Sequence, residues 1–426
     1  MTLQMTLALG ILILMIALIM FDVLPFGAPP ILACLLLVVT GLSTVQEAFA
    51  GFVNNSVVMI AGFMVVMAAI QKTSLITKVK MGIISLINKG GYKSYALLVI
   101  IAMLGASLVG GGNTGYYVLI LSILVTLPYS KQMPTSKLLL PMGFATNHPL
   151  IPFNVALYFG VCTSVLESNG FTESVSMPKF AVVNFVMSAA FLIWCLVAFK
   201  LLPDHPLGDA SEADVARAGE ELAEMEPWKE KVVVVAFVVS VVGMMLNNQL
   251  GNASYVIPGL CGAVCLFIGA LDFKEVRDSM GAPVILMMAG VIGVADALAN
   301  SGFTTMIGDV MANAMGSNVN PFIVIFVFGL LTSTCATFTG SNMGSVYIFA
   351  PIAIATCMSL GLNPIAAAVV CTVCGWQGGY MPIDGLPALI YGMGKYKLPE
   401  FWKFTIPMYF IRIIALSIAA VVIFPM

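Results

Sequence analysis

Two long apolar runs in this chain are broken by the same short polar motif. Gly111 to Tyr117 reads Gly-Gly-Asn-Thr-Gly-Tyr-Tyr and Gly340 to Val346 reads Gly-Ser-Asn-Met-Gly-Ser-Val, each an Asn flanked by small residues within a hydrophobic stretch. The likeness extends on both sides. Ala61-Gly62 lies over Ala289-Gly290, Pro149 and Tyr158 over Pro382 and Tyr391, and Met177 to Phe180 over Leu398 to Phe401. The chain therefore reads as a duplication in which each copy carries an Asn-centred helix break. Interrupted hydrophobic segments at matching positions of two halves point to the binding site of a secondary transporter.

With 60% apolar residues, 9% charged residues and a mean hydropathy of +1.04 over 426 residues, the chain is a polytopic membrane protein. The first apolar run, Leu3 to Met20, has no basic residue before it and no small-residue cleavage site after it, and is expected to be a retained helix. A net charge of -2 argues against nucleic acid as a partner. Nine cysteines lie in or beside apolar segments and read as small buried hydrophobes, including the Cys371 and Cys374 pair.

The fold expected is all-α, with two inverted repeats of five transmembrane helices, each containing a re-entrant hairpin and a broken helix. The first repeat covers 1–202, with its hairpin at 93–129 and broken helix at 134–166. The second covers 231–426, with its hairpin at 320–359 and broken helix at 363–394. An odd number of crossings per half turns the second copy over relative to the first. Lys and Arg accumulate in cytoplasmic loops. Counted from an external N-terminus, every basic residue except Lys179 and Arg412 falls inside, and both termini lie outside. The Glu- and Ala-rich stretch 203–230 reads as a cytoplasmic linker, with partner binding as the lesser alternative.

The breaks carry the chemistry. Gly permits close approach of backbone to ligand, and an interrupted helix exposes amides and carbonyls that no water satisfies in the bilayer. Helix N-termini suit anions, while unwound carbonyls and Asn or Ser oxygens suit a hard cation. Asn113 and Asn342 offer both kinds of group in one side chain, although an Asn can also simply cap a helix break.

At these positions the chain resembles the divalent anion:sodium symporter family of the ion transporter superfamily. The likeness rests on Gly111 to Thr114, on Gly340 to Met343, on Met381 to Gly392, and on Gly51 to Val57. That resemblance implies substrate contacts from Asn113, Thr114, Ser341 and Asn342, with Pro382 behind them. It implies one cation site at Thr337, Gly340 and Asn342, and a second at Gly112 and Asn113. At that second site Gly112 stands where the family has Ser, so backbone carbonyls would have to do the binding. It also implies a homodimer.

Ionisable groups at membrane depth default to functional hypotheses. His148 and Asp384 sit at near-equivalent positions of the two broken helices, where they would either couple transport to protons, hold substrate, or cap the break. Asp296 interrupts another apolar helix, with an interhelical hydrogen bond as its alternative role. Arg412, inside the last helix, would turn inward by snorkelling or pair with an acid.

Taken together, the residues describe a secondary active transporter in a bacterial inner membrane. It would be surrounded by lipid and would couple sodium to a small di- or monocarboxylate-like anion, with no resident cofactor. Proton-linked carriage or exchange, cation/proton antiport, and the membrane subunit of a binding-protein-dependent system stay open. With two His and no His-Glu-x-x-His, Gly-x-Ser-x-Gly or P-loop pattern, the chain is not read as an enzyme.

Overall fold

The structure, a computed structural model, describes residues 2–20, 23–25, 27–110, 113–125, 133–151, 155–171, 173–207, 225–316, 319–382 and 385–426. Gly112 and Asp384 lie outside the described residues, as does the side chain of Thr114.

The described chain is helical, and its elements come in one order twice. The first series runs α1 (Leu3–Met20), α2 (Ala28–Val39), α3 (Asn55–Gln71), α4 (Ser74–Lys89), α5 (Gly91–Val109), α6 (Thr114–Val125), α7 (Thr135–Ala145), α8 (Ala156–Ser168) and α9 (Met177–Ala198). The second runs α10 (Pro227–Met245), α11 (Ala253–Phe267), α12 (Pro283–Asn300), α13 (Phe303–Met315), α14 (Pro321–Thr339), α15 (Asn342–Ser359), α16 (Ile365–Cys374), α17 (Gly385–Gly394) and α18 (Leu398–Ile423). The paired arms are thus α5–α6 and α14–α15, and the broken helices are α7–α8 and α16–α17.

Local chemistry explains the punctuation. Asn54 caps α3 by accepting from Ser56 N at 2.9 Å, and Asn320 caps α14 by accepting from Phe322 N at the same distance. At the second hairpin α14 stops where Gly340 takes a left-handed conformation, φ 67°. Ser341 then starts α15 by accepting from Gly344 N at 3.2 Å.

Six helices among the described residues are long and apolar enough to cross a membrane. Large apolar side chains also point outward, among them Phe267 at 92% exposure and Val422 at 70%, an arrangement suited to lipid rather than water.

Packing relates the halves. Helix α3 lies along α11 and α12 lies along α2; exchanging the two series turns one contact into the other, while the α9–α18 contact maps onto itself. The α3–α11 crossing is close because Gly62 has no side chain: a Cβ there would lie 2.7 Å from Gly259 Cα. One buried apolar cluster joins α2, α3, α8, α12, α15 and α16. A second joins α5, α6, α7, α9 and α18. Polar ties collect at one end. Lys72, just after α3, pairs with Glu275 at 2.7 Å, and Ser74 meets Glu230 at 2.5 Å.

Candidate functional site: a cavity between the helix breaks

A cavity of about 240 Å³ lies where the broken helices meet the tip of the second hairpin. Phe144 and Asn147 reach it from the C-terminal end of α7, and Trp376, Gly378 and Gly379 from the segment leaving α16. Ala336, Thr337 and Gly340 close it from the end of α14, with Asn342 opening α15 beside them. Gly385, Leu386 and Pro387 contribute the start of α17, Tyr117 comes from α6 and Arg412 from α18.

Three helix C-terminal ends (α7, α14, α16) and two N-terminal ends (α15, α17) therefore converge on one space. The first N–H groups of α15 and α17 have no partner within their helices and carry the positive end of the dipole. The C-terminal ends present carbonyl oxygens. One cavity thus offers places for an anion and for a cation side by side.

Side chains lock this arrangement. Asn147 Nδ2 donates to the Trp376 carbonyl at 2.9 Å, tying one break to the other, and Asn147 Oδ1 has no hydrogen-bond partner among the described residues. The Trp376 ring lies on Tyr158, centroids 4.8 Å apart. Thr337 donates to the Ser333 carbonyl at 2.8 Å, and Gly378 backs so closely onto Thr337 Oγ1 that a Cβ there would collide with it.

Arg412 is 1% exposed and does not snorkel. Nε donates to Met408 O at 3.2 Å; Nη1 donates to His148 Nε2 and Gln377 Oε1, both at 3.0 Å; Nη2 donates to the carbonyls of Gln377 and Gly378, both at 2.8 Å. His148 Nδ1 lies 2.6 Å from the Phe144 carbonyl, which can only accept, so that nitrogen carries the hydrogen. Nε2 is then free to accept from Arg412. The ring stacks on Phe191 at 4.0 Å.

The structure distributes the sequence candidates unevenly. Thr337, Gly340 and Asn342 share one wall of the cavity. Ser341 is buried and serves as the cap of α15, off the lining, and Pro382 also lies off it. Asn113 caps α6, its Oδ1 accepting from Tyr116 N at 2.9 Å, and does not line the cavity. His148 stands behind Arg412, not on the lining. Asp296, on α12, is half-buried and interacts electrostatically with Glu167 on α8, away from the cavity. Asn147, Trp376 and Arg412 are cavity residues that the tip motifs did not indicate. For Arg412 the signal was there: a charged residue inside an otherwise apolar helix.

An interior cavity between broken helices of a largely apolar helical bundle is the kind of site that secondary transporters use. The chain belongs to the citrate transporter family, CitMHS, whose family model matches residues 16–373. An uncharacterised transporter of Synechocystis is 27% identical over 206 residues, 47% of this chain and 32% of that protein. The mouse Na(+)/citrate cotransporter is 21% identical over 150 residues, 35% of this chain and 26% of that one. The matches thus span about a third or less of these relatives. Among solved structures, the Alcanivorax borkumensis YdaH transporter has the same overall fold, with TM-score 0.61 at 16% identity over 89% of this chain and 87% of that one.

Proposed function

We propose that the protein is a sodium-coupled symporter of a small carboxylate, with citrate the first candidate, working by alternating access. One observation carries this: Thr337, Gly340 and Asn342 form a single wall next to the N-terminal ends of α15 and α17, so cation and anion would bind as neighbours. Sodium at the wall would add charge and order the hairpin tip before the anion arrives. The family's description as citrate transporters and the sodium/citrate pairing in the mouse relative's name support the choice. The two series of helices are read as inverted copies. Hairpins and broken helices move together against a frame made by α1–α3 and α10–α12, and two chains associate as a homodimer.

The test is the melting temperature of purified protein with citrate, in sodium or in choline. Ligand at a hundred times Kd stabilises the folded state by about 2.7 kcal/mol. Citrate and sodium together should raise the melting temperature well beyond either alone, and Asn342→Ala should abolish that gain. Stabilisation by citrate that follows acidification and ignores sodium would assign a proton-linked carrier instead.

A further inference from the structure

We propose that Arg412 is a binding residue for the transported anion, a resident countercharge that recognises a carboxylate group on the cavity side of α18. This rests on the reading of the cavity as an anion site.

A guanidinium stays protonated in proteins, and removing it from water is costly unless its charge is matched. Arg412 makes five hydrogen bonds, one for each N–H, yet every acceptor is neutral: three backbone carbonyls, an amide oxygen and a neutral imidazole. No carboxylate among the described residues forms an ion pair with it. The hydrogen bonds satisfy the donors and hold the group in place, but they leave a whole positive charge at the wall of a cavity that also receives two helix N-termini. A charge fixed by five bonds in a poorly solvated place is preorganised for an anion. The partners come from both copies, His148 from the first and Gln377 and Gly378 from the second, so the charge is centred between the two breaks.

The ligand class follows from the charge. A polycarboxylate would set one carboxylate against Arg412 and leave another for the sodium-bearing wall, whereas a monoanion would have to choose between them.

Two variants separate a binding role from a structural one. Arg412→Gln removes the charge. Gln377→Glu neutralises it from behind, since Gln377 is fully buried and off the cavity lining. Each is titrated with citrate and with a monoamide that keeps a single carboxylate, succinamate, while sodium alone is followed by its own thermal shift. Both variants should lose on the order of tenfold or more in citrate affinity. They should lose much less for the monoamide, and their response to sodium alone should persist. Equal losses for citrate and monoamide would make Arg412 a structural staple and overturn the proposal. Citrate affinity unchanged in Gln377→Glu would do the same, even if Arg412→Gln fails to fold. Asp384→Asn should not tighten citrate binding; if it does, that acid already neutralises Arg412 and the proposal falls. Wild-type protein that binds neither citrate nor monoamide under any ionic condition would instead remove the anion-site reading beneath it.

Discussion

Replacing Gly378 by Ala tests whether the proposed cation wall is shaped from behind. The backbone at Gly378 lies outside the left-handed region, so alanine brings no backbone strain, and the whole effect comes from the added methyl. That methyl would collide with Thr337 Oγ1 and sit 3.4 Å from Thr337 Cβ. The hydroxyl must turn, breaking its 2.8 Å bond to Ser333 O, and a β-branched side chain in a helix has few other rotamers to take. Overpacking costs about 1–3 kcal/mol and the lost bond roughly 0.5–1.5, so a destabilisation of about 1.5–4.5 kcal/mol is expected. The sodium-dependent thermal shift should fall with it. Thr337→Ala removes the obstructing oxygen, and in that background Gly378→Ala should cost less than about 1 kcal/mol. The assay is a double-mutant cycle on unfolding of the detergent-solubilised protein. If the two substitutions are additive to within about 0.5 kcal/mol, the methyl does not act through Thr337 and the reasoning is wrong.

Other expectations are simpler to state. Asn147→Ala leaves the Trp376 carbonyl without the bond that ties the breaks together and should lower stability by about 1–3 kcal/mol in the same unfolding assay. At the α3–α11 crossing the two glycines should respond unequally. Gly62→Ala drives a methyl into the backbone of Gly259 and should cut the yield of folded protein, whereas Gly259→Ala points into open space and should be tolerated. Lys72→Met removes a half-exposed ion pair with Glu275 and should change the melting temperature little, corresponding to less than about 1 kcal/mol.

The helix breaks were legible because they use residues whose backbone preferences show in sequence. The second hairpin, read at 320–359, has its arms at Pro321–Thr339 and Asn342–Ser359, split where Gly340 ends one helix and Ser341 caps the next. The broken helix read at 363–394 divides into Ile365–Cys374 and Gly385–Gly394 around a segment rich in Gly and Pro. What each side chain faces was harder to see. In a helix with no apolar stripe to mark an inner face, an inward turn could be read for Arg412 from its charge, but not the neutral partners that hold it there. Adjacent residues also part company: Asn147 enters the cavity while His148 turns away to Phe191 and Arg412. The equivalence of Asn113 and Asn342 holds for the motif but not for their surroundings. The first caps its own helix, while the second lines the cavity with residues from α7, α16, α17 and α18. Tertiary packing makes that difference, and a local repeat cannot encode it.

Arg412 belongs to the second series of helices, yet one of its five bonds ends on His148 in the first, and Asn147 of the first series holds a carbonyl of the second. The two series of helices are thereby not independent. A drift at position 148 leaves one guanidinium N–H of the other half without its acceptor, and a drift at 412 leaves the imidazole Nε2 without its donor, so changes on either side of this seam should be accepted in pairs. Neither series, doubled with itself, would rebuild the site.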